Sequence, residues 1–185
     1  MAKKLAKEEK VDMFVVELAA LLHDIEDWKY HEGSEDENIR AIKAWLKQQK
    51  LSDKIIFRVC SAVKDAVFKG EKNKKRIKIK EGAIIYDADQ LDAIGALGIA
   101  RGFMFAGNFK LPMYDPKIKP LRNMTEKQYK NFRRPTYTQI NHFYEKLLLQ
   151  KNLMNTKAGK NIAATRHDFM KDYLDRFYKE WEGKL

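Results

Sequence analysis

Apolar residues recur along most of the chain at the three- and four-residue spacing of amphipathic helices. The pattern predicts helices over residues 1–9, 14–25, 37–49, 53–68, 84–106, 136–154 and 156–183, with a long irregular connection at 107–136. Neither a repeat nor a clear domain boundary interrupts it. We therefore expect an all-α fold, a single domain over 1–185 with about six to eight helices.

Local signals support several of these boundaries. Asp12 is a typical N-cap for the second helix, since its carboxylate can accept from the first free amides. Ser34 and Glu37 have the spacing of a capping box for the third helix. The second helix is apolar on nearly every side, and we expect it to be a buried central element.

Composition narrows the class of protein. Only 9 glycines and 4 prolines occur, which disfavours a many-stranded β fold with its frequent turns. The single cysteine, Cys60, excludes an internal disulfide and fits a cytoplasmic protein; its apolar setting indicates a buried, inert thiol. We expect neither a signal peptide nor a membrane span.

The chain carries a net charge of +11, which favours anionic partners such as nucleotides or nucleic acid. Part of the excess is local, because residues 69–80 contain seven Lys or Arg and one Glu. Such a basic segment is usually a solvated loop, and attraction of phosphate is the alternative.

The end of the second predicted helix carries the first chemical signal. His23 and Asp24 follow a strongly apolar run, where an ionised carboxylate is costly unless a cation compensates it. Asp27 lies four residues after His23 and three after Asp24, so the helical spacing of 100° per residue places all three on one face. One imidazole and two carboxylates therefore converge, which is a set of donors suited to a metal ion.

A second acidic cluster lies in the helix predicted at 84–106. Asp89 and Asp92 share a helix face, whereas Asp87 points elsewhere. We interpret Asp89 as a metal ligand and Asp87 as a charge favoured by the N-terminus of its own helix. For Asp92 an ion pair with a base such as Arg101 stays open.

Four strings carry a family resemblance: VVELAALLHDIEDWKYHEG, DADQLDAIGALGIARGF, PMYDP and INHFYEKLLLQKNLMNTKAGK. Together they resemble the bacterial HD-domain phosphohydrolases, especially the small stand-alone type that includes nucleoside triphosphate pyrophosphohydrolases. The resemblance covers nearly the whole chain. It implies a metal held by His23, Asp24 and Asp89, with Asp27 as the general acid or base.

One family feature has no counterpart here. The first metal ligand of the family is a histidine on a helix upstream of the first residues of this chain. We expect either a start further upstream or a protein that lacks that helix. His31, His142 and His167 are not obvious substitutes; we interpret the first as a surface residue and the other two as ordinary helix residues.

The expected chemistry follows from these ligands. One nitrogen and two oxygens suit Mn²⁺ best, with Mg²⁺ as an alternative. Lys29 and Lys69 are candidates for holding substrate phosphates, with solvated surface lysines as the alternative. Tyr114 is a candidate for lining the substrate pocket, although a structural loop contact is the simpler interpretation.

The predicted function is hydrolysis of a nucleotide, in the family's manner from triphosphate to monophosphate and pyrophosphate. The alternative is a catalytically impaired relative that binds nucleotides or nucleic acid through its basic surface; nucleic acid is the less favoured partner. A third alternative is a degenerate chain whose exposed core aggregates or dimerises. No membrane partner is expected, and the oligomeric state is left open, with a dimer as one option.

Overall fold

The computed structural model describes residues 1–25, 35–66 and 77–185. Within these ranges the chain contains nine α-helices and one 3₁₀ helix, and no strand, so the all-α class is confirmed. The helices are α1 (Ala2–Glu9), α2 (Met13–Leu22), α3 (Glu35–Gln48), α4 (Asp53–Ala66), α5 (Lys80–Asp92), α6 (Gly95–Asn108), α7 (Glu126–Lys130), α8 (Gln139–Glu145), the 3₁₀ helix η1 (Leu147–Asn152) and α9 (Lys157–Trp181).

The described residues form two compact units. The first unit comprises the described residues of 1–68, 75–89 and 155–158. The second unit comprises the described residues of 90–154 and 159–185. Helix α5 crosses the division after Asp89. None of the described helices is both long enough and apolar enough to cross a membrane.

Helix α4 is the central packing partner in the first unit, where it lies against α2 and α3, while α1 packs on α2. The buried side chains come from the apolar stripe of each helix and include Leu5, Val15, Val16, Ile42, Leu46 and Val59, none of them more than marginally exposed. Burial of each such aliphatic side chain stabilises the fold by about 1.5–3 kcal/mol. Helix α2 is less enclosed than we expected, since Phe14 and Leu21 are exposed.

Aromatic and aliphatic side chains build the core of the second unit. Phe143 is fully buried, with its ring 6.5 Å from that of Phe103 and 5.8 Å from that of Tyr173. A buried ion pair between Arg134 and Glu145 joins the long connection to α8, and Glu145 also accepts from the Leu121 amide at 2.9 Å. The irregular connection is therefore anchored on regular structure.

The helix predicted at 84–106 is wrong as one continuous element. The chain leaves the helical conformation at Ile94, whose φ and ψ are −124° and 164°, and Gly95 follows with φ +79°. A positive φ is strained for residues with a side chain. At Gly98 an added Cβ would lie 2.3 Å from the Ala93 carbonyl carbon. These glycines therefore permit a tight turn between α5 and α6.

Two further differences raise the helix number above the expected six to eight. The connection predicted as irregular contains α7, which begins with a capping box between Thr125 and Gln128. The helix predicted at 136–154 is divided at Lys146, where φ is −140°, into α8 and η1. Helices α7, α8 and η1 are all short, and the spacing of apolar residues alone does not show where such short elements begin and end.

Candidate metal centre

His23 lies directly after α2, which ends at Leu22. Its Nδ1 is 2.8 Å from the Ala20 carbonyl oxygen, which can only accept, so Nδ1 carries the hydrogen. Its own carbonyl accepts from Asn38 Nδ2 at 3.2 Å. The Ala20 bond orients the imidazole ring, the Asn38 bond holds the His23 backbone, and Nε2 is left as the ring nitrogen that can bind a metal. A backbone acceptor on the second ring nitrogen is typical of metal-binding histidines.

Two carboxylates approach this free nitrogen. The His23 Nε2 atom is 3.3 Å from Asp24 Oδ2 and 3.9 Å from Asp89 Oδ1. Asp24 is the neighbour in the chain, whereas Asp89 lies on α5, so folding brings the second acid from a distance of 66 residues in sequence. The structure thus brings together the three residues predicted as metal ligands.

The spacing of these donors is compatible with a divalent ion. Two ligands at about 2.1 Å from one ion, at angles between octahedral and tetrahedral, lie roughly 3.0–3.5 Å apart. The pair of His23 and Asp24 falls in this range, and Asp89 needs to approach by less than an ångström. Among the described residues no group of three or more His, Cys, Asp or Glu side chains is already arranged to hold a metal.

The reason that we gave for a metal at these acids is wrong in one respect. Asp24 and Asp89 are not enclosed by apolar neighbours, since their side chains are 65% and 40% exposed. Solvent compensates part of their charge, so burial does not by itself require a cation here. The case for a metal depends instead on their position around His23 Nε2.

Helix α2 ends before the residues that we predicted to share one helix face with Asp27. Residues 23–25 form a turn after α2, so the spacing of 100° per residue does not extend past Leu22. Asp27, Lys29, His31, Ser34 and Lys69 lie outside the described residues. The roles predicted for them stay predictions.

Asp87 is a fully buried carboxylate of α5, and our interpretation of it as a charge at its own helix N-terminus is wrong. It lies seven residues into α5 and is fully buried. It accepts from the Thr156 amide at 2.8 Å, the Thr156 hydroxyl at 2.6 Å and the Asn155 amide at 2.9 Å. These donors lie just before α9, so Asp87 satisfies amides at the beginning of a different helix.

The alternative left open for Asp92 is confirmed. Its carboxylate is paired with Arg101, and both side chains are largely exposed. Tyr114 makes the structural contact that we considered simpler, with its ring 5.7 Å from Phe177 and 5.1 Å from Trp181. Its role in substrate binding stays a prediction.

Two other candidate groups have surroundings that do not favour chemistry. Partial burial raises the pKa of the Cys60 thiol, although Lys43 and Lys64 oppose this, so the reactive thiolate is disfavoured. His167 lies within α9, with a buried Nδ1 that has no hydrogen-bond partner among the described residues. Burial, assisted by Lys151, lowers its pKa.

Comparison with known proteins agrees with the resemblance. The family model described as HD domain matches residues 1–94. The Bacillus subtilis protein YpgQ is 32% identical over 194 residues, covering 99% of this chain and 80% of YpgQ.

Solved structures are also similar to this chain over nearly its whole length. A Lactobacillus plantarum protein has a TM-score of 0.83 and 34% identity, covering 98% of this chain and 82% of that one. An HD-superfamily hydrolase from Bacillus thuringiensis has a TM-score of 0.72 and 35% identity, covering 98% and 81%. YpgQ in complex with ADP has a TM-score of 0.73 and 31% identity, covering 97% and 82%.

Proposed function

Because this chain belongs to the HD-domain superfamily, we propose that it is a divalent-metal-dependent phosphohydrolase acting on nucleotides, with His23, Asp24 and Asp89 as metal ligands. The observation that carries the proposal is the convergence of the two carboxylates on His23 Nε2, at 3.3 and 3.9 Å. The Ala20 carbonyl supports it, since its hydrogen bond keeps Nε2 available as a ligand.

A nucleotide is the substrate class that the chemistry favours. The net charge of +11 raises the local concentration of polyanions. YpgQ has been solved with ADP, and this chain is 31% identical to that structure. We propose a nucleoside triphosphate as substrate and the monophosphate and pyrophosphate as products, in keeping with the family resemblance.

Each residue has a defined part in this proposal. His23, Asp24 and Asp89 would hold a divalent cation through one nitrogen and two oxygens, a set that suits Mn²⁺ better than the all-oxygen preference of Mg²⁺. When bound, that cation would supply polarisation of a phosphoryl oxygen and a lowered pKa of the attacking water. We propose that Asp27 moves a proton to or from the attacking water, and that Lys29 and Lys69 hold substrate phosphates.

The test is hydrolysis of nucleoside triphosphates with Mn²⁺ by the wild type and by His23→Ala and Asp89→Ala. Loss of a residue that hydrogen-bonds to a metal ligand typically lowers the metal affinity or the activity by about 10–100-fold. We expect loss of a ligand itself to cost at least as much. Product analysis by anion-exchange chromatography identifies whether pyrophosphate or inorganic phosphate is released.

Asp92→Ala is the matched control, because Asp92 lies on the same helix but is an exposed acid paired with Arg101. It should retain wild-type activity. Equal activity in the wild type and both ligand variants would exclude this site as the source. Nucleotide binding without turnover in the metal-loaded wild type would favour the alternative of a catalytically impaired binding protein.

A further inference from the structure

Helix α4 contacts the two helices that position the proposed metal ligands. It packs along α2, which ends just before His23, and its polar side chains bond to the beginning of α5, which carries Asp89. None of the three proposed ligands belongs to α4. The helix therefore lies where it can set the position of one ligand relative to another.

Arg58 of α4 joins the beginnings of α2 and α5. One guanidinium nitrogen donates to Asp12 Oδ2 at 2.7 Å, and the other donates to Glu81 Oε1. Asp12 is also the N-cap of α2, accepting from the Phe14 amide at 3.1 Å. A planar guanidinium can hold two carboxylates in one geometry, which an ammonium does not reproduce.

The same contacts shift the pKa values of Arg58 and Asp12 toward their charged forms. The bond to Glu81 raises the pKa of Arg58 despite partial burial. Burial opposes ionisation of Asp12, but the Val15 amide, Arg58 and the Phe14 amide together lower its pKa. Glu81 is nearly enclosed, with its side chain 8% exposed, so loss of Arg58 would leave a buried carboxylate without this partner.

Asp65 fixes the beginning of α5 from the same side of α4, seven residues after Arg58. Its Oδ2 accepts from the Lys78 amide at 2.7 Å and the Ile79 amide at 3.2 Å, and the residue is 1% exposed. Helix α5 approaches so closely that a Cβ at Gly82 would lie 2.5 Å from Asp65. The lateral position of α5 against α4 is thus closely defined.

We propose that Arg58 is a positioning residue of the metal centre: by joining Asp12 and Glu81, it sets the separation of His23 from Asp89. The inference rests on the proposed function. Helix α2 transmits the constraint from Asp12 to His23, and α5 transmits it from Glu81 to Asp89, over about 12 Å in α5. Close-packed interiors have low compressibility and transmit strain, so a displacement at one end of a packed helix affects the other end.

The test is the affinity for Mn²⁺ alone, measured by isothermal titration calorimetry at a temperature where circular dichroism shows every variant folded. Arg58→Gln should bind Mn²⁺ about 10-fold more weakly than the wild type, within the range for residues that orient metal ligands. Arg40→Gln is the control, because it removes the same charge from an exposed position of α3. It should bind as the wild type does.

A second pair of variants separates positioning from loss of stability. Glu81→Ala removes one acceptor of Arg58 and should weaken Mn²⁺ binding, whereas Glu81→Gln keeps an oxygen acceptor and should restore most of the affinity. Wild-type affinity in Arg58→Gln or in Glu81→Ala would overturn the inference, as would an equal loss in Arg40→Gln. If the wild type itself does not bind Mn²⁺, the proposed function fails before the inference is reached.

Discussion

At the scale of single residues, the acids of α5 differ in what compensates their charge. Asp87 is fully buried and is satisfied by donors from Asn155 and Thr156. Asp92 is exposed and pairs with Arg101. Asp89 is partly exposed and faces His23. One short stretch of sequence therefore contains a structural carboxylate, a surface ion pair and a proposed ligand, and only their surroundings separate the three.

His167 gives a pH-dependent prediction at the same scale. Burial lowers its pKa below the ordinary value of 6.5, so between these two values the unfolded chain binds the proton more readily. The contribution of His167 to the free energy of unfolding should be constant above pH 6.5. It should decrease as the pH falls from 6.5 to the folded-state pKa. His167→Gln should lose less stability than the wild type between pH 7 and pH 5, measured by urea unfolding.

Lys160→Gln is the control for this measurement, because Lys160 is an exposed residue of the same helix. It should show the wild-type pH dependence. An identical decrease in the wild type and in His167→Gln would show that His167 does not contribute to the acid sensitivity.

At the scale of elements, the helix boundaries depend on contacts that periodicity does not record. Asp12 was predicted as an N-cap, and the structure confirms the bonds to the Phe14 and Val15 amides. The signal is local, since the cap and its donors are within three residues. The break between α5 and α6 was missed, because apolar residues continue across it with helical spacing.

Substitution of Gly95 tests what causes the break between α5 and α6. Its φ of +79° is strained for alanine, and an added Cβ would lie 2.9 Å from Arg166 Cγ. Gly95→Ala should lower the free energy of unfolding by about 1–2 kcal/mol. Chemical denaturation measures the change.

Gly107→Ala is the matched control in the same helix, since a Cβ there meets no atom within 4 Å. Alanine should be neutral or stabilise by up to about 1 kcal/mol, because it restricts the unfolded chain and favours helix. Destabilisation of both variants to the same extent would show that the conformation of Gly95 is not the cause.

At the scale of the whole molecule, the proposed ligands all belong to the first unit. His23, Asp24 and Asp89 lie there, and the HD-domain match covers residues 1–94. Binding of a metal to the folded unit should therefore stabilise it, because the unfolded chain does not keep His23 near Asp89.

Thermal unfolding tests this coupling. At a free Mn²⁺ concentration 100 times Kd, the gain is about 2.7 kcal/mol for one site, or roughly 5–10 °C for a chain of this size. Chelation with EDTA should reverse it. A shift of the same size in His23→Ala would assign the stabilisation to another metal site.

The sequence by itself determined the all-α class, most helix positions and the N-cap at Asp12, because these depend on periodicity and on contacts between near neighbours. It also predicted His23, Asp24 and Asp89 as a set of metal ligands, but only through the family resemblance. Only the tertiary structure decided that Asp87 is a buried cap for a later helix and that Arg58 joins α2 to α5. These roles depend on side chains 23 to 69 residues apart in sequence, and no local pattern encodes which distant amide or carboxylate a buried charge will meet.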